Sequence, residues 1–311
     1  TSSFDMTETQ HYMTPLYFLR DSGVHLLEYS PVSAMRLLNP AELVIRDHRK
    51  LFVIDGKIAA IGGLNLNYIS MGAGEGRTQR DSMYLFRSPS LAEALMHSFV
   101  DSWNASSVEK LSYGDFAVYP DDAGAYDAYL FNSGAGGEGS IAGMFASLIA
   151  SAESEIVLFP YLPVLDKHME ECIRRAVDRG VSVDIIMPVD LRGYAAGGLY
   201  HYLPDLIRST GADISLSIYG EDGEVLPLLH EKLMVVDSEY VVIGSSNFNF
   251  RSMGLSHEMS LVIDSKELAS RLEEHIEDVR RVSFPIDEDD ADRLAREEGS
   301  FLAYLFMYYG G

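Results

Sequence analysis

One constellation of residues occurs twice in this chain, at a constant offset. The first copy, from His48 to Asn65, reads H-R-K-L-F-V-I-D-G-K-I-A-A-I-G-G-L-N. The second copy, from His230 to Asn247, reads H-E-K-L-M-V-V-D-S-E-Y-V-V-I-G-S-S-N. The histidine, lysine, aspartate, glycine and asparagine of one copy each lie 182 residues from their counterparts (230 − 48 = 182). The repeat therefore predicts two similar halves, with one active centre built where the halves meet.

The order of apolar and polar segments predicts the fold class of the second half, residues 141–285. Residues 165–179 are amphipathic with a helical period and end at Gly180, a residue type that favours the position just beyond a helix. Residues 156–159 and 181–187 are short apolar runs that are typical of buried strands. Helices and strands that alternate in this way indicate α/β layers around a mixed sheet.

The repeat also divides the chain into segments. Residues 1–110 form the first half, residues 111–140 connect the halves, and residues 286–311 form an acidic turn and an apolar C-terminal helix. Thr1 aligns with position 183 (1 + 182), so the first half repeats only the later part of the second. We therefore expect a first half that is incomplete at its N-terminus, with any membrane anchor in the missing part. Residues 301–309 are aromatic and apolar, which is typical of a helix docked on a core or of an interfacial membrane contact.

The charge of the chain limits its partners. There are 24 Lys and Arg residues against 47 Asp and Glu residues, a formal net charge of −23. This balance argues against a nucleic-acid partner, because phosphate backbones bind basic surfaces, although a small basic funnel on an acidic protein remains open. It also argues against broad adsorption to anionic lipid surfaces. The single cysteine, Cys172, excludes an intramolecular disulfide.

The spacing inside each motif brings its polar side chains to one face. Alternate side chains of a strand share a face, so His48 points with Lys50 and His230 points with Lys232. If the halves pack around a pseudo-twofold axis, the two sets converge.

A converged set of this composition suits phosphoryl transfer. Lysine and asparagine side chains bind non-bridging phosphate oxygens and stabilise charge in the transition state. One histidine can attack phosphorus, and the other can protonate the leaving alcohol. The lysines supply the positive charge, so we expect neither a metal nor a cofactor.

The motif H-x-K-x-x-x-x-D followed by G-[GS]-x-N resembles the phospholipase D superfamily. The segment G-S-S-N-F-N-F-R-S, from Gly244 to Ser252, and the segment R-D-H-R-K-L-F-V-I-D-G resemble its bacterial cardiolipin synthase branch. The resemblance covers nearly the whole chain. It implies a phospholipase D-like α/β fold, in which two similar halves with mixed sheets pack as a pseudo-dimer with the active site at their interface.

The resemblance implies roles for the repeated residues. His48 would be the nucleophile and His230 the general acid and base, with the reverse assignment left open. The phosphate would be held by two lysines and two asparagines, namely Lys50, Lys232, Asn65 and Asn247. Ser245 would assist, while Gly63 stands at the matching position of the first half and lacks the hydroxyl.

A carboxylate is expected beside each histidine. Glu258 resembles the acid that orients a histidine of the second motif. Asp81 is the candidate for the matching role in the first half, although the offset leads to Gly76 and a short insertion must be assumed. Glu75 is its rival. The tryptophan that often stands two residues before this acid in the family is here Gln79.

Other residues are expected to support the site or to contact lipid. Asp55 and Asp237 would brace the site without touching substrate, and Arg251 would fix the loop after the second motif or contact phosphate. The segment that contains Tyr200 and His201 fits either contact with an acyl chain or headgroup, or a plain helix start.

Tyr68 is a further candidate for lipid contact. It follows the first motif, so it could line a lipid entrance or pack within a loop.

The implied activity is that of a phosphatidyltransferase. A phospholipid would donate its phosphatidyl group to a histidine, and an alcohol such as the headgroup of phosphatidylglycerol would accept it. The protein would then be associated with the bacterial cytoplasmic membrane, with phospholipid substrates and no nucleic-acid partner. The alternatives are a phospholipase D-type hydrolase, a nuclease or other phosphodiesterase, and a non-catalytic module that binds phosphate or lipid.

Overall fold

The strands and helices of this chain follow the predicted α/β pattern. A computed structural model describes residues 16–29, 45–67, 69–72, 78–120, 124–133, 140–190, 195–219 and 227–310. A short helix covers residues 16–21. The first half then continues with β1 (Leu51–Ile54), β2 (Ile58–Gly62), β3 (Gln79–Arg80), β4 (Met83–Arg87) and α1 (Pro89–Ser106).

The second half contains the larger set of elements. Its strands are β5 (Asp127–Ser133), β6 (Glu155–Phe159), β7 (Ser182–Asp190), β8 (Asp213–Tyr219), β9 (Leu228–Leu229), β10 (Leu233–Val236), β11 (Tyr240–Gly244), β12 (Glu258–Asp264) and β13 (Ser283–Ile286). Its helices are α2 (Ser140–Ser151), α3 (Lys167–Asp178), α4 (Ala195–Thr210), α5 (Phe250–Gly254), α6 (Lys266–Arg281), α7 (Glu288–Glu297) and α8 (Phe301–Gly310). None of the helices in the described part of the chain has the length and apolar character that crossing a bilayer requires.

The strands form one large mixed sheet and two small sheets. The large sheet has eight strands in the order β13-β8-β7-β6-β10-β11-β12-β5, and a three-stranded sheet has the order β1-β2-β4. β6, β7 and β8 run parallel, whereas the other pairs of the large sheet are antiparallel. The prediction of an α/β fold with a mixed sheet is therefore confirmed for the large sheet, whereas the three-stranded sheet of the first half is antiparallel throughout. β5 lies inside the predicted connecting segment, residues 111–140, yet it pairs with β12 as an edge strand of the large sheet.

The two motifs fold into hairpins of the same register. β1 pairs with β2 through Leu51 and Ile61, and β10 pairs with β11 through Leu233 and Ile243. Both turns contain residues with positive φ, a conformation that aspartate tolerates better than most side chains. The equal register places the histidine and lysine of each motif at equivalent positions in the two halves.

Each hairpin ends at a glycine because the next strand lies too close for a side chain. A Cβ built on Gly62 would lie 2.2 Å from the carbonyl oxygen of Ser82, and one built on Gly244 would lie 2.2 Å from that of Met259. These close approaches fix β2 against β4 and β11 against β12. They explain why the repeat keeps a glycine at this point.

The halves share a hydrophobic core. Ala59 and Ile61 of β2 and Leu95 of α1 are fully buried in one cluster with side chains of β6, β10, β11, β12 and α6. A shared core of this kind removes apolar surface of both halves from water at once. It therefore holds the two motif hairpins in a fixed relation to each other.

Candidate active site

Each motif histidine forms a backbone hydrogen bond with the other half of the chain. The N–H of His48 donates to the carbonyl of His257 at 2.9 Å, and the N–H of His230 donates to the carbonyl of Arg80 at 2.8 Å. The residues that follow these two acceptors are Glu258 and Asp81. Each histidine is therefore placed beside the acid of the other half.

Glu258 contacts the histidine of the first motif. Its two carboxylate oxygens lie 3.0 and 3.1 Å from Nδ1 of His48. The expectation that Glu258 orients a histidine of the second motif was wrong, because the backbone bridge between the halves carries the carboxylate across the interface. Burial alone would raise the pKa of Glu258, but the nearby charges of His48 and Lys50 hold it below the usual value. The carboxylate is thus held ionised against the imidazole.

Asp81 makes the reciprocal contact. Its Oδ2 lies 2.5 Å from Nδ1 of His230, and the aspartate side chain is fully buried. Asp81 and Glu258 are 177 residues apart (258 − 81 = 177), which is five fewer than the motif offset of 182, so the expected insertion comprises five residues. Glu75 lies outside the described residues.

Gly63 and Ser245 occupy equivalent positions in the two halves. The acid beside each position, Asp81 or Glu258, determines whether a side chain fits there. A Cβ built on Gly63 would lie 2.4 Å from Oδ1 of Asp81 and 2.9 Å from Cδ of Lys232. In the second half the serine is accommodated, and Ser245 Oγ donates to Glu258 Oε2 at 2.5 Å. In the first half, the Asp81 carboxylate therefore occupies the space that a serine side chain at position 63 would need.

The hydroxyl of Ser245 is buried and engaged in this arrangement. The residue is fully buried, and its hydroxyl is occupied by Glu258. Ser252 Oγ donates to the other oxygen of Glu258 at 2.7 Å. Both hydroxyls fix the carboxylate that faces His48, and the expectation that Ser245 assists in holding phosphate stays a prediction.

Two lysines concentrate positive charge at the same point. Nζ of Lys50 donates to the carbonyl of His48 at 2.6 Å, and Nζ of Lys232 lies 2.8 Å from Nδ1 of His230. Burial lowers the pKa of Lys50 to about 8 and that of Lys232 to about 7. Glu258 and Asp81 oppose this shift, so the site is a compact cluster of two lysines and two carboxylates in which the lysines can bind an anion.

The same surroundings lower the pKa of both motif imidazoles. Burial lowers the pKa of His230 to about 3, and Lys232 adds to the effect. Burial also lowers the pKa of His48, although Glu258 opposes the shift. An anionic phosphodiester in the site would raise the pKa of the imidazoles and favour a protonated ring.

The motif asparagines differ in burial. Asn247 is buried, and its Oδ1 has no hydrogen-bond partner among the described residues, whereas Asn65 is half-buried. A buried polar atom without a partner is costly, so this amide is suited to meet a ligand. Rotation of the amide by a half turn would present its NH₂ group to a phosphate oxygen.

Tyr161 is a site residue that the sequence reasoning missed. Its ring centroid lies 4.3 Å from that of His230 in an edge-on arrangement, and Nζ of Lys232 lies 5.1 Å from the same tyrosine ring. Tyr161 follows β6, at the end of a buried parallel strand where ligand sites of α/β folds lie. That position was the signal by which it could have been found.

Several expected supporting residues lie outside the histidine cluster. The carboxylate of Asp237 accepts hydrogen bonds from the backbone of residues 153–155, just before and at the start of β6. Its counterpart Asp55 is exposed. Tyr200 is buried in the core of the second half, and His201 packs its ring against Phe301 of α8. Both residues thus lie within α4, and contact of this segment with an acyl chain or headgroup stays a prediction.

Arg251 and Tyr68 are the two remaining residues that were expected near the site. Arg251 lies close enough to Glu258 for the carboxylate to raise its pKa, while burial lowers that pKa overall. Tyr68 lies outside the described residues.

Comparison with known proteins agrees with this geometry. Residues 145–280 match the family described as "Cardiolipin synthase, PLD-like domain". The chain is 29% identical over 287 residues to a cardiolipin synthase of Geobacillus thermodenitrificans, which covers 86% of this chain and 52% of the relative. It is 30% identical over 262 residues to a cardiolipin synthase A of Pseudomonas syringae, which covers 82% of this chain and 51% of that protein.

A solved structure shows the same fold. The phosphatidylserine synthase of Haemophilus influenzae superposes with a TM-score of 0.62 at 15% identity, covering 85% of this chain and 71% of that chain. The chain spans about half the length of the curated relatives that it matches. The matched segment and the relatives show that this chain is similar to cardiolipin synthases, and the solved structure shows that it shares a fold with a phosphatidylserine synthase.

Proposed function

We propose that this chain forms the catalytic region of a phosphatidyltransferase that acts on membrane phospholipids, with phosphatidylglycerol or a related lipid as donor and acceptor. The observation that carries the proposal is the crossed pair of His–acid contacts, His48 with Glu258 and His230 with Asp81. Two lysines lie beside these pairs, of which Lys232 is buried and Lys50 is half-buried. The similarity to cardiolipin synthases supports the lipid substrate and the location at the bacterial cytoplasmic membrane.

The first chemical step forms a phosphohistidine. Glu258 accepts a hydrogen bond from Nδ1–H of His48, which keeps the proton on Nδ1 and leaves the Nε2 lone pair free to attack phosphorus. A P–N bond forms, the bond from phosphorus to the leaving glycerol oxygen breaks, and His230 gives a proton to that oxygen. Lys50, Lys232 and the two motif asparagines hold the non-bridging oxygens as charge develops on them.

The second step returns the enzyme to its starting state. The hydroxyl of a second phosphatidylglycerol gives its proton to His230 and attacks phosphorus, and the P–N bond to His48 breaks. Cardiolipin and glycerol are the products of the two steps. The Lys232 ammonium, 2.8 Å from the His230 ring, supplies positive charge beside it in both steps.

A product assay tests this proposal. The purified protein is incubated with phosphatidylglycerol labelled in its phosphate, and the lipids are separated. Labelled cardiolipin is expected; the absence of both cardiolipin and phosphatidic acid from an intact, folded sample would refute the proposal.

Hydrolysis is the second candidate, because water in place of the acceptor alcohol would use the same histidines and release phosphatidic acid. The ratio of cardiolipin to phosphatidic acid in the product assay separates the two outcomes. A nuclease activity is disfavoured by the net charge of −23, since nucleic acid requires a basic surface.

A further inference from the structure

The C-terminal helix α8 is apolar on all sides. Residues 301–309 contain no charged side chain. Its inner face is buried on α4 through Ala303 and Met307. Its outer face exposes Phe301 by 59%, Leu302 by 70% and Phe306 by 63%. A helix that is apolar all round is normally buried on all sides, so the outer face needs an apolar environment.

The packing of α8 shows that its position is fixed. A Cβ built on Gly198 would lie 2.5 Å from Sδ of Met307 and 2.8 Å from the backbone of Ala303. The N–H of Ser300 donates to the carbonyl of Gly197 at 2.8 Å. The close helix crossing at these glycines holds α8 rigidly on the first turn of α4.

α8 lies at the active-site edge of the large sheet. The parallel strands β6 and β7 end at the same edge. Tyr161 follows β6 at this edge and contacts His230. The helix α4 begins after β7 at the same edge, and α8 packs on its first turn.

A second contact places α8 beside the motif loop. Phe250, three residues after Asn247, stacks on Tyr308 of α8 with ring centroids 5.0 Å apart. The helix is therefore packed directly against the segment that follows the second motif.

We propose that the outer face of α8, formed by Phe301, Leu302 and Phe306, inserts into the hydrocarbon boundary of a phospholipid bilayer beside the active site. The inference rests on the proposed function, because a lipid substrate must reach the histidines from a bilayer. The helix would lie in the plane of the interface and would not cross it.

A second copy of the chain fits this face less well. Three exposed apolar side chains on a ten-residue helix fall short of the roughly 20–30 residues a side of a standard protein interface. The neighbouring α7 segment, residues 287–298, carries seven acidic and two basic residues. A twofold contact through α8 would bring these acidic segments toward each other.

The acidic surroundings give this membrane contact a distinctive salt dependence. An anionic bilayer repels a chain of net charge −23, and added salt screens that repulsion. Binding to vesicles that contain phosphatidylglycerol should therefore rise with salt, whereas a contact made by basic residues would weaken.

Flotation with vesicles tests the proposal. The purified protein is mixed with vesicles of phosphatidylcholine, alone or with phosphatidylglycerol, at several salt concentrations. The variant carries Phe301→Ser, Leu302→Ser and Phe306→Ser. The control carries Leu85→Ser, Val108→Ser and Tyr129→Ser, which replace apolar side chains of comparable exposure elsewhere. The α8 variant should lose vesicle binding by at least about tenfold, and the control should bind like the wild type.

Three results would overturn the proposal. They are a wild-type protein that does not float, an α8 variant that floats like the wild type, and binding that weakens as salt is added. A wild-type dimer that the α8 variant converts to a monomer would assign the face to a second copy instead. Circular dichroism and thermal unfolding of each variant ensure that a loss of binding is not a loss of fold.

A soluble substrate separates this proposal from the proposed function. Short-chain phosphatidylglycerol below its critical micelle concentration reaches the site without a bilayer, so the α8 variant should turn it over at the wild-type rate. If the wild type turns over neither soluble nor vesicular lipid yet still floats, the proposed function fails and the membrane contact stands. If turnover is normal and flotation is absent, the membrane contact fails alone.

Discussion

Glu258 lies against His48, a residue of the other half, with its carboxylate 3.0 Å from Nδ1 of the imidazole. The reciprocal contact joins Asp81 to His230, so each half completes the acid–histidine pair of its partner. Neither half holds a complete pair by itself. Both acid–histidine pairs therefore form only if the shared core keeps the two hairpins in a fixed relation to each other.

Replacement of Glu258 by Gln should lower turnover by about 10²-fold, because His48 loses the charge that orients and polarises it. The rate of the product assay over a range of pH is the measurement. The variant Glu239→Gln, at a half-buried surface acid, is the control and should behave as wild type. An unchanged rate and pH profile for Glu258→Gln would contradict the assigned contact.

Loss of either motif histidine should abolish turnover, but the two variants should differ in the intermediate. With a phosphatidyl donor that has a good leaving group, His230→Ala should still accumulate a base-stable labelled protein, because the attack by His48 no longer needs an acid. His48→Ala should remain unlabelled. Label retained in His48→Ala and absent from His230→Ala would reverse the two roles.

Gly63→Ser should destabilise the protein by about 1–3 kcal/mol, since its Cβ would meet Oδ1 of Asp81 at 2.4 Å. Combining it with Asp81→Glu recreates the serine–glutamate pair of the second half. The double variant should be more stable than the sum of the two single changes predicts. Urea unfolding of all four proteins measures this coupling, and strict additivity would show that the two positions are independent.

Stability should rise with pH between about 7 and 10 through the two site lysines. Burial lowers the pKa of Lys232 to about 7 and that of Lys50 to about 8, from 10.5. In this range the unfolded chain binds more protons than the folded one, so raising the pH favours folding. Substrate binding should weaken over the same range, because the lysines lose their charge.

Urea unfolding at several pH values measures the effect of the lysines. The variant Lys232→Met should show a smaller rise than the wild type, whereas Lys266→Met, at an exposed lysine, should not change the slope. Equal slopes for Lys232→Met and the wild type would contradict the lowered pKa.

Tyr161→Leu should reduce turnover by about 3–30-fold, since His230 and Lys232 lose the ring that positions them. Tyr161→Phe retains the ring and should keep most of the activity. Comparison of kcat and KM shows whether the loss lies in the chemical step. Equal losses in the two variants would assign the effect to the hydroxyl.

The sequence by itself determined the two hairpins and which motif side chains share a face, and it predicted the class of chemistry. These features are local, because strand alternation sets which side chains share a face and the constant offset pairs the copies. The α/β plan of the second half is equally local, since apolar periodicity marks each strand and helix.

Only the tertiary structure decided how the acids are shared, why Gly63 accompanies Asp81, and that Tyr161 borders His230. Glu258 is 210 residues from His48, and Asp81 is 149 residues from His230. No local pattern predicts contacts at such separations. They follow from backbone hydrogen bonds between the halves and from the shared core that docks one half on the other.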